Sequence, residues 1–262
     1  MKNPGTKITI ITVCRNSEKF LEETIKSVIN QTYANIEYIL IDGASTDSTL
    51  EIINRYSKGI HSWVSEPDDS MYAAINKGLR LATGDYILIL NSDDLLANNN
   101  TIEKAVNLID KQNPDYFYGN LIKFKDGETK KVKLFPVIFK QLLLSTHCTF
   151  VPHPCFFISQ KLNRLLNGYD LNYQYASDYD YILKALATKG STGKYINVDI
   201  SKFRIHANSI TAGGKINTER KKILREHGFY QYSWFSRLFF YYSLWIYYKI
   251  INVGNRYQDG KL

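Results

Sequence analysis

The sequence predicts an α/β fold: a mostly parallel central sheet flanked by helices. Three observations support this. Short apolar runs of strand length alternate with helical patterns through the first half of the chain. These runs are apolar at consecutive positions, as in strands covered on both faces. One helical stretch separates each run from the next, the rhythm of right-handed crossovers between parallel strands.

The first strand spans Lys7 to Val13. From Glu18 to Gln31, Phe20, Leu21, Ile25, Val28 and Ile29 form one apolar stripe at helical spacing. Ile36 to Ile41 is a second strand. Ser48, with Glu51 three residues on, has the spacing of a capping box and opens a helix whose inner face is Leu50, Ile53 and Tyr56. His61 to Ser65 is a short third strand, Met71 to Ala82 a helix, Asp85 to Leu90 the strongest strand, and Thr101 to Lys111 a further helix. Beyond Asp115 the rhythm weakens. Tyr116 to Phe124 is a strand, Asp126-Gly127 a turn, Thr149 to Ile158 a mixed aromatic stretch, Asp178 to Lys189 a helix and Tyr195 to Phe203 a last strand. Residues 1–215 are expected to form the main domain, with halves at 1–115 and 116–215, and residues 216–262 a helical tail.

With 44% hydrophobic and 22% charged residues among 262, the chain is globular and long enough for a sizeable core. A net charge of +8 favours anionic partners. Cys14, Cys148 and Cys155 are odd in number and lack CxxC spacing, which argues against a disulfide framework or structural zinc. The apolar run at the N-terminus is short and interrupted by threonine, unlike a signal peptide, so a cytoplasmic location is expected. The stretch from Phe229 to Val253 is dense in Phe, Tyr and Trp and includes Arg237 and Lys249. That composition suits a helix lying in a membrane interface, peripheral on the inner face of the cell membrane, better than a spanning one. Packing on the domain or on a second copy is the alternative.

Open parallel sheets bind ligands at the carboxyl ends of their strands. There this basic chain collects acids: Asp42 and Asp47 after the second strand, Glu66, Asp68 and Asp69 after the third, Asp93 and Asp94 after the fourth. Asp47 precedes a helix and is read as its cap. Asp93 and Asp94 stand side by side after an apolar strand, an arrangement suited to a hard divalent ion, Mg2+ or Mn2+, that also takes phosphate oxygens. No two of the five histidines have metal-ligand spacing.

Four segments resemble the family-2 glycosyltransferases of GT-A fold, whose central sheet is Rossmann-like. They are Ile8-Thr9-Ile10-Ile11-Thr12 with Asn16, Tyr38 through Asp42-Gly43-Ala44-Ser45-Thr46-Asp47, Ser65-Glu66-Pro67-Asp68 through Ala74-Ile75-Asn76-Lys77-Gly78, and Ala82-Thr83-Gly84-Asp85-Tyr86 through Leu90-Asn91-Ser92-Asp93-Asp94. The third is similar to a subgroup that builds bacterial surface polysaccharides (capsule, O-antigen or exopolysaccharide). The resemblance covers roughly Lys7 to Thr211.

It implies an inverting transfer of a sugar from a nucleoside-diphosphate sugar, a UDP-sugar being expected, to a hydroxyl of a glycan or lipid-linked glycan. Thr12, Arg15, Asn16, Asp42, Asp68, Asn76, Asp93 and Arg204 would bind the nucleotide-sugar. Asp93, Asp94 and His206 would hold Mn2+ or Mg2+, with Asp93 preferred over Asp94 and Asn91 not a ligand. Asp178 would be the catalytic base, His153 would line the acceptor side, and Ser209 and Thr211 would belong to a segment closing over the diphosphate. Gly213-Gly214 is a candidate hinge. The chain departs from the family pattern at Ser70 and Ala73, where glycine and aspartate are usual. A sugar nucleotidyltransferase is the first alternative, opposed by the absence of glycine in Val13-Cys14-Arg15-Asn16. A nucleotide-sugar-binding protein without turnover is the second. The acidic strand ends oppose a nucleic-acid partner.

Overall fold

A computed structural model describes residues 5–109, 112–125, 127–134, 136, 151–206 and 215–233, together with 235, 239 and 242. The chain runs β1 (Ile8–Cys14), α1 (Leu21–Ile29), β2 (Ile36–Asp42), α2 (Thr49–Arg55), β3 (Ser62–Ser65), α3 (Met71–Leu81), β4 (Tyr86–Ile89), β5 (Leu95–Leu96), α4 (Thr101–Ile109), β6 (Tyr116–Lys125), β7 (Glu128–Val132), β8 (Phe156–Ser159), α5 (Gln160–Leu166), α6 (Ser177–Ala187), β9 (Gly193–Arg204) and α7 (Lys215–Glu226).

One sheet joins them in the order β3-β2-β1-β4-β8-β6-β9-β5, with β7 on the outer part of β6. The strands β3, β2, β1 and β4 are parallel, and β6 and β9 are parallel to each other. Between β4 and β6 runs β8, antiparallel to both. The expectation of a mostly parallel sheet with flanking helices therefore holds, and the Thr149–Ile158 stretch contains the strand that reverses it. Phe157 on β8 stacks on Phe117 of β6, ring centroids 4.3 Å apart.

The unbroken apolar runs follow from two buried faces. Along β1, Ile11 and Val13 enter one core with α3 and α6, while Ile8, Ile10 and Cys14 enter the other with α1 and α4. Side chains alternate between those faces along each strand. At Gly78 a Cβ would stand 2.6 Å from Cγ2 of Ile11, so α3 lies against β1 only because that position has no side chain.

The expected capping box does not form. Ser48 makes no side-chain cap bond. Its backbone N–H donates to Glu18 Oε2 at 3.0 Å, and Asp47 accepts from the N–H of Thr49 at 3.0 Å and of Glu18 at 3.2 Å. Asp47 thus has the capping role expected of it, and it ties the first two strand-end loops together. At the start of the tail, Ile216, Ile223 and Leu224 of α7, and Phe229 after it, are buried in the core that also holds α6. Among the described residues no helix is long and apolar enough to cross a membrane.

At the amino end of the sheet Glu37 is 2% exposed. Burial pushes its carboxyl up, but bonds from Lys7, Thr83 and Thr9 outweigh this and hold it down at about 2, against an ordinary 4.5. A folded pKa below the unfolded one adds stability that is complete above pH 4.5 and lost as pH falls toward 2. Because Lys7 is partly solvated, a contribution of about 2 kcal/mol is expected. Glu37→Gln should lower the urea unfolding free energy by that amount at pH 7 and flatten its fall between pH 5 and 3. Unchanged pH dependence in the variant would remove this role.

Candidate functional site

A cleft of about 1280 Å³ opens over the carboxyl ends of β1 to β4 and continues across β6, β7 and α7. Of the residues singled out in the sequence, Arg15, Asn16, Asp68, Asp93, His153, Asp178 and His206 line it. Thr12, Asp42, Asn76, Asp94 and Arg204 do not.

Those five are occupied elsewhere. Thr12 is buried on the face of β1 shared with Ile10 and Cys14, where Tyr38 Oη lies 3.2 Å from its hydroxyl. Asp42 is fully buried and accepts from Ser45 N–H at 3.0 Å, Ser65 Oγ at 2.7 Å, Ser45 Oγ and the Cys14 thiol. Its bonds to Ser45 shape the 43–47 loop. Asn76 donates to Tyr169 O at 2.8 Å and accepts from Tyr169 N–H at 2.7 Å, which pins α3 to the chain after α5. Arg204 packs its guanidinium between the rings of Phe20 and Phe124, at 4.4 and 4.5 Å, and bonds to Glu23 and to the carbonyl of Asp93.

The turn after β4 separates its two carboxylates. Asp94 points inward, accepting from Arg204 N–H at 3.1 Å and Asn91 Nδ2 at 3.0 Å. Burial, and then the neighbouring charge of Asp93, push its carboxyl up to about 8. Asp94 thus joins the end of β9 to the end of β4. Asp93 points into the cleft, and its Oδ2 lies 2.7 Å from Nε2 of His206. His206 rests against Phe20, ring centroids 5.4 Å apart. No third His, Cys, Asp or Glu completes a metal cluster among the described residues. One carboxylate and one imidazole still fit a hard divalent ion whose remaining positions go to phosphate oxygens and water.

After β1, Asn16 takes a left-handed conformation (φ 50°) and its Oδ1 accepts from Thr46 N–H at 2.9 Å. Lys77 holds Asp68 Oδ1 at 2.7 Å and Glu66 at 2.6 Å. The other oxygen of Asp68, Oδ2, is buried with no hydrogen-bond partner among the described residues. An unpaired buried carboxylate oxygen costs free energy unless a ligand donor meets it. Ser70, the departure from the family's glycine, caps α3 by accepting from the N–H of Ala73 at 3.1 Å.

Across the cleft, Asp178 lies in the first turn of α6, one residue inside the helix rather than at its cap. The helix N-terminus favours its charge. Tyr72 Oη donates to Asp178 Oδ1 at 3.2 Å. Burial, and then the Asp178 charge, push the Tyr72 phenol up. Tyr72, Tyr169 and Tyr181 stack in sequence, at 5.7 and 4.2 Å. His153 Nε2 lies 2.6 Å from Tyr169 Oη, and burial depresses its basicity. Sequence reasoning missed this tyrosine stack. It also missed Glu219, which accepts from the consecutive amides of Gln174, Tyr175 and Ala176 at 2.8, 2.7 and 2.9 Å and so sets the entry to α6. One of two glutamates in a basic helix was its only sequence signal. Cys148, Ser209, Thr211 and Gly213-Gly214 lie outside the described residues.

The model of Glycosyl transferase family 2 matches residues 9–166. The chain belongs to this family. A glycosyltransferase of Mycobacterium tuberculosis is 31% identical over 180 residues, covering 68% of each chain. A PGL/p-HBAD biosynthesis glycosyltransferase of Mycobacterium bovis is 27% identical over 203 residues, 74% of this chain and 75% of its own. Among solved structures, S. aureus TarS in complex with UDP-GlcNAc superposes with a TM-score of 0.68 at 18% identity, covering 84% of this chain and 71% of its own. A mannosyltransferase of Pyrobaculum calidifontis in complex with GDP-Man and Mn2+ does so at 0.60 and 19%, covering 80% and 61%. At such identities the structures speak for the fold. This family-2 chain is a glycosyltransferase of GT-A fold.

Proposed function

We propose that this glycosyltransferase moves a sugar, with inversion, from a UDP-sugar to a hydroxyl of a glycan or lipid-linked glycan in bacterial surface polysaccharide synthesis. The observation that carries the reading is the opposition, in one cleft, of the Asp93–His206 pair and Asp178. The nucleoside would sit over Arg15 and Asn16, with a base or ribose donor meeting Asp68 Oδ2. Asp93 and His206 would hold Mn2+ or Mg2+, which when bound supplies Lewis-acid stabilisation of the departing diphosphate. Asp178 would take the proton of the acceptor hydroxyl as that oxygen bonds to the anomeric carbon and the carbon–diphosphate oxygen bond breaks. His153 would line the acceptor end, and the Tyr72–Tyr169–Tyr181 stack would hold Asp178 in place. The UDP-GlcNAc and GDP-Man bound in the two neighbouring structures support a nucleotide-sugar donor. Exposed Phe235, Phe239 and Tyr242, at helical spacing, support a tail that rests on a membrane surface.

A thermal-shift screen of nucleotide-sugars with Mn2+ tests the donor, since a ligand that binds the native state raises its apparent stability. A selective rise with one UDP-sugar is expected. No rise with any nucleotide-sugar would sink the reading. Tyr72→Phe probes the base separately. The phenol is the hydrogen-bond donor that orients the Asp178 carboxylate, so its loss should lower kcat by about three- to tenfold with donor KM unchanged. An unchanged kcat would separate Tyr72 from the base.

A further inference from the structure

The helix that carries Asp178 opens without a cap of its own. Ala176 stands at the N-cap of α6 and makes no side-chain hydrogen bond. The first backbone N–H groups of a helix have no partner within it, and an alanine side chain offers none. The chain leading into α6 is instead held from α7. Glu219 Oε1 accepts from Gln174 N–H at 2.8 Å, and Oε2 accepts from Tyr175 and Ala176 N–H at 2.7 and 2.9 Å. Asp178 follows Ala176 by two residues.

The end of α7 grips the far side of the same turn. His227, directly after α7, places Nε2 2.8 Å from Oδ1 of the buried Asp180. Tyr173 Oη donates to Glu226. Between these ties, Ile216, Ile223 and Leu224 of α7 share a core with Tyr179, Ile182 and Leu183 of α6. The carboxylate of Asp178 is met by Tyr72. The side chain of Asp178 is thus oriented from α3 and its backbone from α7. Glu219 is not among the residues lining the cleft, so its effect on transfer runs through α6.

We infer that Glu219 is a positioning residue for the transfer step: through the amides of residues 174–176 it sets Asp178 within reach of the acceptor hydroxyl. Hydrogen bonds from backbone N–H groups to a carboxylate are stronger than those between neutral partners, and three consecutive ones leave the backbone little freedom. A general base acts only within hydrogen-bond reach of its proton, and a displacement of about 1 Å caused far from the chemistry can cost about 100-fold in rate. The first helix of the tail is then part of the catalytic apparatus. The inference rests on Asp178 as the base.

Glu219→Gln keeps the length of the side chain and one acceptor oxygen but turns the other into a donor, so at least one of the three amides loses its partner. In the full chain kcat should fall by about tenfold or more, with donor KM and the affinity for UDP with Mn2+ within about twofold of the parent. The deciding measurement repeats the change in Asp178→Asn. There it should cost less than about twofold, because the group it positions is already gone. A brace that serves only stability would cost the same factor in both backgrounds. Glu219→Asp keeps the charge and withdraws it by one methylene, and it provides the same comparison if the amide form does not fold. A kcat within about twofold of the parent, an equal loss in both backgrounds, or a loss confined to donor KM would overturn the inference and leave Asp178 as the base. Transfer by Asp178→Asn at the parental rate would instead remove the base, and the inference with it.

Discussion

Asp178→Asn is expected to lower kcat by about 10²- to 10⁴-fold, the usual contribution of a positioned general base. The amide keeps the size of the carboxylate and can still accept from Tyr72, so the fold and the cleft should persist. Donor affinity, read by thermal shift with UDP-sugar, should stay within about twofold of the parent. Transfer at the parental rate would remove Asp178 from the mechanism. A parallel loss of donor binding would point to collapse of α6, whose first turn is held in place by Glu219.

Asp93→Asn should be nearly as damaging for a different reason. It removes charge from the Asp93–His206 pair that faces the cleft. A loss of about 10²- to 10³-fold in kcat is expected, as for removal of one group that stabilises charge developing on a leaving oxygen. Chelator should silence the parent enzyme, and Mn2+ or Mg2+ should restore it. The variant should need a higher metal concentration for whatever rate remains. Asp94→Asn gives the contrast. Asp94 is buried between Asn91 and the backbone of Arg204, so its replacement should change thermal stability and leave the metal requirement near that of the parent. Full activity of the parent in chelator, or a metal requirement altered only in Asp94→Asn, would reverse the assignment.

Most of the nucleotide half could be read directly because its signals are local. Each strand from β1 to β4 is an apolar run of its own, and each strand-end acid follows in sequence. What could not be read was which way those side chains point. Thr12 and Asp42 sit at the expected strand ends, but both are buried, on the face of the sheet that carries Ile10, Cys14 and Leu40. The same ambiguity explains Asp93 and Asp94, neighbours whose roles diverge because one turn sends one side chain inward and the other outward. Asn76 and Arg204 came from a resemblance that carries residue types but not their partners. Across the cleft, Tyr72, Tyr169, Asp178 and Glu219 come together from distant parts of the sequence, and no local pattern announces such meetings. Four residues of β8, entered from a single helical turn at His153–Cys155, were too few to mark as a strand, and its direction is a property of the neighbours it joins.

That reversed strand also bears on how such enzymes could exchange parts. By sequence β8 belongs with the acceptor half, yet it is hydrogen-bonded along β4, pairing Tyr86 with Ser159, Ile87 with Ile158 and Leu88 with Phe157. A chimera cut near residue 115, which looks like the natural seam, would have to graft a foreign β8 into the middle of the host's sheet and match its side chains on both faces. Recombination of donor and acceptor specificities by simple exchange of halves is therefore disfavoured in this architecture. The β6–β7 hairpin offers no easier exchange, since β6 pairs with both β8 and β9 and, of the two strands, only β7 lies on an edge.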